Sequence, residues 1–378
     1  RSWGAKKVLA RIIGRVIKDK LTGKQHATAG QALQGQMLHA ALKAGVEIRL
    51  DAPVTQLVIE EGRVQGVIAR IDGREQRIDA RLGVLINAGG FGHNQEMLDK
   101  YLPGISSEWS NVIPEDTGDL ILEGQRIGAA VAQMRERIGT QIVLPPGNPA
   151  FKPPMQNETS KPHSLVVDQT GVRYQNEAGS SVEFCRRMMA HNTQGKAVPS
   201  WLIFDSQFID KYMLAGSMPG AKKPQEWFDK KYLRKADTLE SLAADIGIDP
   251  STLASTVARF NQFVANNRDE DFHRGEHAYE EWLGDPLHSP SKTLGSVEKG
   301  PFYAMQLYPG DVSTFGGLVT DSQARVLRED GSVIPGLYAT GTSTASVMGG
   351  VEPGAGGSIG PAFTFGYIAA RHACSQDT

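Results

Sequence analysis

Apolar and polar residues alternate early in the chain. Val46–Leu50 and Val54–Val58 alternate as half-buried strands do, and Val64–Ile71 alternates again after the turn Glu61-Gly62. A second turn, Asp72-Gly73, leads into Arg77–Ala80, so the pattern predicts an antiparallel meander. Leu82–Ala88 breaks the alternation with an apolar run that ends in Gly89-Gly90-Phe91-Gly92. A short apolar strand ending in glycines suits a buried strand that brings its backbone to a ligand.

Helical periodicity takes over next. Asn94–Tyr101 is predicted as a helix capped by Asn94, and Thr117–Gly139 as a longer one starting near Asp119, with Leu120, Ile121, Leu122 and Ile127 inward. From about Pro145 the texture changes to frequent Pro and Asn, with amphipathic helices at Ala236–Ile246 and Ser251–Asn267. Asp249-Pro250 opens the second. Asn266–Pro290 is polar and predicts a surface excursion. Strand character returns at Tyr303–Leu307 and Gly336–Thr340, with a hairpin turn at Asp330-Gly331. A last helix, Ile359–Ala373, is expected to pack through Phe363, Tyr367 and Ile368. The expected organisation is discontinuous: an α/β domain from residues 1–140 and 305–378, with a substrate or cap domain inserted at 141–304.

Composition narrows the function classes. A chain of 378 residues exceeds what one core usually supports, which agrees with two domains. A formal charge of −2 offers no basic face for nucleic acid. The two cysteines, Cys185 and Cys374, match no metal or redox spacing, as expected of a cytoplasmic setting. No window approaches about 18 uninterrupted apolar residues, so no integral membrane segment is expected. The basic N-terminal stretch with Val8, Ile12 and Ile13 suits an amphipathic helix packed on its own domain, or a membrane-surface helix.

The candidate chemistry lies near the C-terminus. Gly336–Gly341 reads as a strand running into glycine, and Gly349–Ala362 as a glycine-rich loop opening a helix. Free N–H groups at a helix N-terminus polarise such a site toward an anion or the edge of a polar ring. A structural turn is the alternative.

Gly336–Gly341 and Gly349–His372, together with Thr55–Val64, Leu85–Phe91, Thr117-Gly118-Asp119, Tyr308–Asp311, Thr314–Asp321 and Asn176-Glu177-Ala178, resemble the 3-ketosteroid dehydrogenase/fumarate-reductase flavoprotein family, in that family's order. The resemblance implies a glutathione-reductase-like FAD-binding domain with an inserted α+β cap. The family's first βαβ unit, with its GxGxxG turn, has no counterpart here, so the chain is expected to be N-terminally truncated. FAD is the implied cofactor. Its implied contacts are Val54, Ala88, Gly89, Gly90, Asn94, Asp119, Gly316, Gly317, Gly341, Thr342, Gly357, Ser358 and Ile359. The implied reaction moves a hydride between a substrate carbon and the flavin, beside a carbonyl, with an external electron acceptor. A steroid-like ketone is the favoured substrate. A fumarate-reductase-like reduction of an unsaturated carboxylate and a truncated non-catalytic fragment are the alternatives.

The catalytic candidates are Ser181, Glu352 and Gly356. Gly356 matches the family glycine whose N–H binds the ketone oxygen. Glu352 and Ser181 stand where the steroid enzymes carry tyrosines. A buried Glu352 would act as base or as protonated donor, a solvated loop carboxylate being the alternative, whereas a serine needs a partner base. Arg173, Arg186 and Arg187 are available in the cap, and His163, His191 and His288 read as ordinary structural histidines.

Overall fold

The computed structural model describes residues 3–193 and 195–376. It divides into a small unit of residues 1–53 with 71–73, and a large unit of the remainder. In the small unit, α1 (Trp3–Thr22) and α2 (Ala29–Lys43) are followed by irregular chain. The α1 side chains Leu9 and Ile12 are exposed. Gly45, at φ 78°, ends α2, with Val46 N–H returning to Ala41 O. That turn leaves 46–50 without a partner strand, so the strand expected there does not form.

In the large unit, β1 (Val54–Glu60), β2 (Arg63–Ile71) and β3 (Arg74–Asp79) form the expected meander. Glu61 and Gly62 both have positive φ, the requirement of a tight hairpin turn. β4 (Val84–Ile86) follows, then α3 (Gln95–Tyr101), with Asn94 Oδ1 accepting from Met97 N–H at 3.0 Å. α4 (Asp119–Arg126) is much shorter than the helix expected over 117–139. Gly128, at φ 90°, stops it, and the chain turns into β5 (Val131–Ala132) and β6 (Arg137–Ile142). All six β6 residues are buried, so sheet pairing overrides the helical periodicity. Ile121 is buried, but Leu122 is exposed.

Next come α5 (Gln156–Thr159), β7 (Ser164–Val167), α6 (Ser181–Asn192), β8 (Ser200–Asp205), α7 (Ser206–Lys211), α8 (Gln225–Asp229), β9 (Arg234–Ala236), α9 (Leu239–Ile246), α10 (Pro250–Ala265) and α11 (Ala278–Leu283). β10 (Phe302–Thr314) is the spine of the largest sheet, ordered β6-β10-β8-β7 with β9 also on β10. Strand alternation divides its core in two. Val166, Leu202, Phe204 and Met305 pack with α6 and α7, while Leu165, Ile203 and Ala304 pack with α9 and α10. The excursion expected at 266–290 is instead partly internal, because Asp269, Arg274 and Glu280 are buried there.

The chain finishes with β11 (Gly317–Leu318), β12 (Arg325–Leu327), β13 (Val333–Ala339) and α12 (Ile359–Ser375). β13 lies between β12, antiparallel, and β4, parallel, with Ala339 opposite Ile86. α12 packs through Ala369 against Tyr338 and Ala324. Phe363 and Tyr367, expected inward, are exposed. The mixed α/β class holds. Among the described residues, no helix is long and apolar enough to cross a membrane.

Candidate active-site cleft

Two sequence-distant glycine stretches meet at the carboxyl ends of the parallel pair β4/β13, where α/β sheets present ligand sites. Thr340 N–H donates to Ile86 O at 2.9 Å, Ala88 N–H to Ser343 Oγ at 2.9 Å, and Ser343 Oγ–H to Gly89 O at 2.9 Å. Gly341 has φ 65°, and a Cβ there would collide with Asn87 Oδ1. A Cβ on Gly89 would strike the Asp116 carboxylate, and one on Gly90 the Thr314 hydroxyl. Burial raises the Asp116 carboxyl above its ordinary value, and Asp116 Oδ2 accepts from Gly90 N–H at 3.4 Å. Asp116 carries no motif of its own, and only the fold reveals it.

The other implied cofactor residues fall into two sets. Gly341, Thr342, Gly357 and Ser358 line one hollow of about 40 Å³ with Thr314 and Phe315, and Ile359 begins α12 at its edge. The N-terminal, positive end of the α12 dipole suits an anionic or polar edge there, although Gly357 and Gly360 N–H are bonded to Gly354 O and Gly356 O. The volume holds the edge of a ring rather than a whole ring system. The remaining residues have structural duties. Gly316 and Gly317 allow backbone crossings, with Met134 and with Ser343. Asn94 caps α3 and donates to Thr117 O at 2.8 Å. Asp119 is an exposed first residue of α4, and Val54 begins β1 in the meander.

The catalytic candidates face a different space. Ser181, Glu352 and Ala355 line one cleft of about 750 Å³, and Gly356 is the next residue along. Ser181 is the first residue of α6 and 8% exposed. Neither neighbouring glutamate serves it as base, because Glu183 is bonded to Arg186 and Arg187, and Glu177 to Arg173 and Arg274. Glu352 is exposed rather than buried, and partial desolvation still raises its carboxyl above its ordinary value. Gly356 has φ 91° with nothing within 4 Å of a Cβ, so its requirement is conformational rather than steric.

Three features here were not legible in the sequence. Arg186 reaches from α6 to Gly350 O at 2.6 Å and Glu136 at 3.0 Å, tying the helix of Ser181 to the loop of Glu352. Tyr279 and Trp282, three residues apart on α11, place two aromatic rings on the cleft wall. Gln156 Nε2 donates to the Tyr279 hydroxyl at 2.9 Å.

Of the three cap arginines, Arg173 is engaged elsewhere. It is buried between Glu177 at 2.7 Å and Asp269 at 2.8 Å; burial opposes its charge, but these two carboxylates outweigh it and keep it charged. His191 pairs with Asp168 at 2.9 Å, and His163 with Ser296 O at 2.8 Å. Cys185 is buried, and burial pushes its thiol up to about 12, which makes it inert.

A family model described as FAD binding domain matches residues 5–359. The chain is 41% identical to a "3-oxosteroid 1-dehydrogenase" of Mycobacterium tuberculosis over 96% of its own length and 66% of the relative's. It is 35% identical to a "4-oxocyclohex-2-ene-1-carboxylate 5-dehydrogenase" of Sinomonas cyclohexanicum, over 90% of this chain and 59% of that one. It also matches the crystal structure of a 3-ketosteroid Δ1-dehydrogenase from Sterolibacterium denitrificans, in complex with 1,4-androstadiene-3,17-dione. The TM-score is 0.87 at 38% identity, covering 89% of this chain and 62% of that one. The chain thus spans 59% to 66% of the length of these three relatives.

Proposed function

This chain belongs to the FAD-binding-domain family, and we propose that it is part of a flavin-dependent dehydrogenase acting on a CH–CH bond beside a ring ketone. The observation that carries this reading is the cleft shared by Ser181, Glu352 and Ala355 beside the glycine loop that opens α12. The residues fit FAD in kind: a glycine-lined hollow at a helix N-terminus, and two glycines, Gly89 and Gly341, where a side chain would collide. Gly341, Thr342, Gly357 and Ser358 would hold one edge of the ring, with Ala88–Gly90 and Gly316-Gly317 beside it. Val54, Asn94, Asp119 and Ile359 complete the proposed cofactor residues.

Bound FAD supplies the hydride acceptor. The chain's own residues then handle the ketone and the proton. Gly356 N–H donates to the ketone oxygen. Glu352, raised above an ordinary carboxylate, takes the proton from the carbon beside it. Ser181 offers a hydroxyl to the substrate without acting as base. Tyr279 and Trp282 give the flat apolar wall that a fused or single ring needs.

We assign residues 1–140 and 305–378 to the cofactor domain and 141–304 to the cap. The favoured substrate is a steroid-like ketone, the electrons pass to an external acceptor, and both unpaired cysteines suit the cytoplasm. The test supplies FAD and an artificial electron acceptor and compares androst-4-ene-3,17-dione with 4-oxocyclohexanecarboxylate. Oxidation of the steroid in preference supports the reading. A flavin-loaded protein that oxidises neither ketone overturns it.

A further inference from the structure

A second cleft, of about 700 Å³, lies on the other side of the short helix α5. Asn157 lines both clefts, while the next residue, Glu158, belongs to the second. The rest of the second cleft is built differently from the first. Phe151, Pro153, Pro154, Met213 and Pro219 give it an apolar wall, and Phe151 and Met213 are exposed. Glu158 lines it as a carboxyl group that is 8% exposed. Among the described residues no side chain donates a hydrogen bond to Glu158. Its contacts are backbone N–H groups, its own and that of Ala215.

We propose that this cleft is a binding site for a neutral, largely apolar molecule that presents one hydrogen-bond-accepting oxygen to the Glu158 carboxyl. The backbone N–H groups satisfy the carboxyl only as an acceptor; when it is protonated its O–H has no acceptor among the described residues of the cleft, and a ligand oxygen meets that need. Volume and composition fit a small-molecule site, with many apolar wall atoms and one orienting polar group.

The charged and titratable surroundings favour an acceptor over an ion. Lys161 is near Glu158, but its ammonium donates to Leu283 O and Gly284 O, and burial lowers its pKa. The Tyr212 hydroxyl donates to Asp285 at 2.9 Å, and burial raises its pKa. Tyr232, whose hydroxyl is buried without a partner, is raised by burial and by the charge of Glu158. Lys211 is the remaining cation on the cleft wall. A cationic ligand would meet Lys161 and Lys211, and the apolar wall offers an anion no further donor beyond them. Burial pushes Glu158 up to about 7, so below neutrality it is a hydrogen-bond donor.

The test is equilibrium dialysis of androst-4-ene-3,17-dione against the full chain, the Glu158→Gln variant and the Met213→Arg variant. Met213→Arg blocks the wall of this cleft and leaves Ser181 and Glu352 untouched. The expected result is a class of bound steroid that Met213→Arg abolishes. Its affinity in the wild type falls about tenfold or more between about pH 6 and about pH 8.5, and this loss is absent in Glu158→Gln, whose amide remains a donor. Binding that survives Met213→Arg unchanged, or no binding at all, overturns the proposal. A pH dependence that persists in Glu158→Gln also overturns the role of Glu158. Dehydrogenase activity is not read in this assay, so the result stands apart from the reading of the Ser181 cleft.

Discussion

The strand ends at Ala88–Gly90 and Gly341 differ in construction from the loop Val347–Gly357. The first region is backbone fitted to backbone. Ser343 ties Ala88 and Gly89 to the second strand, and a single added Cβ would strike Asn87, Asp116 or Thr314. The loop has room around Gly354 and Gly356, exposes Val347, Met348 and Val351, and is tied back by the Arg186 bond to Gly350 O. On the proposed reading, the tightly fitted region would serve the cofactor and the roomier loop the substrate. Of the two departures, Glu352 falls in the loose loop, where variation costs least stability, while Ser181 sits buried at the start of α6.

The sharpest way to break this contrast is to add bulk to each region. Gly341→Val puts a β-branched residue at φ 65° against Asn87 and should cost about 4 kcal/mol in urea unfolding. Gly356→Val meets no neighbour and should cost only about 1–2 kcal/mol of backbone strain, while abolishing turnover. Equal destabilisation would remove the distinction.

A smaller expected effect isolates the chemistry. Glu352→Gln should lower kcat about 10²- to 10⁴-fold with unfolding free energy unchanged to within about 0.5 kcal/mol. As a base, Glu352 works only when ionised, so wild-type kcat should rise with pH through the carboxyl's pKa. Because desolvation raises that pKa, the rise lies above the ordinary Glu value of 4.5. The limb should vanish in the glutamine variant. A pH profile shared by both proteins would remove Glu352 from that role.

The smallest effect tests what holds the loop. Arg186→Ala should raise KM more than it lowers kcat, by about tenfold in kcat/KM, and should cost less than about 1 kcal/mol because the arginine is half exposed. Arg186→Lys restores charge but not the two-pronged reach to Gly350 O and Glu136, and should recover little.

Much of the fold was legible because its signals are local. Asn94 capped α3, Glu61-Gly62 made its hairpin turn, and Asp249-Pro250 opened α10 as read. The failures are tertiary. Nothing in 131–142 announces that β10 will claim Arg137–Ile142 as a strand, and nothing in 266–280 announces that Arg274 will be drawn onto Glu177 and the Ser164 carbonyl. At the site, glycine requirements were readable where strand and loop patterns flank them. The roles of Arg186, Asp116 and Tyr279 depend on partners 26 to more than 100 residues away in sequence, and no spacing encodes them.

FAD titrated into the wild-type chain and into Glu352→Gln, followed by visible flavin absorbance and paired with turnover, tests the contrast most directly. Independence of the two regions requires an FAD affinity equal to within about twofold in both proteins, with turnover lower in the variant by about 100-fold or more. Loss of FAD affinity in step with turnover, or full turnover in Glu352→Gln, would contradict it.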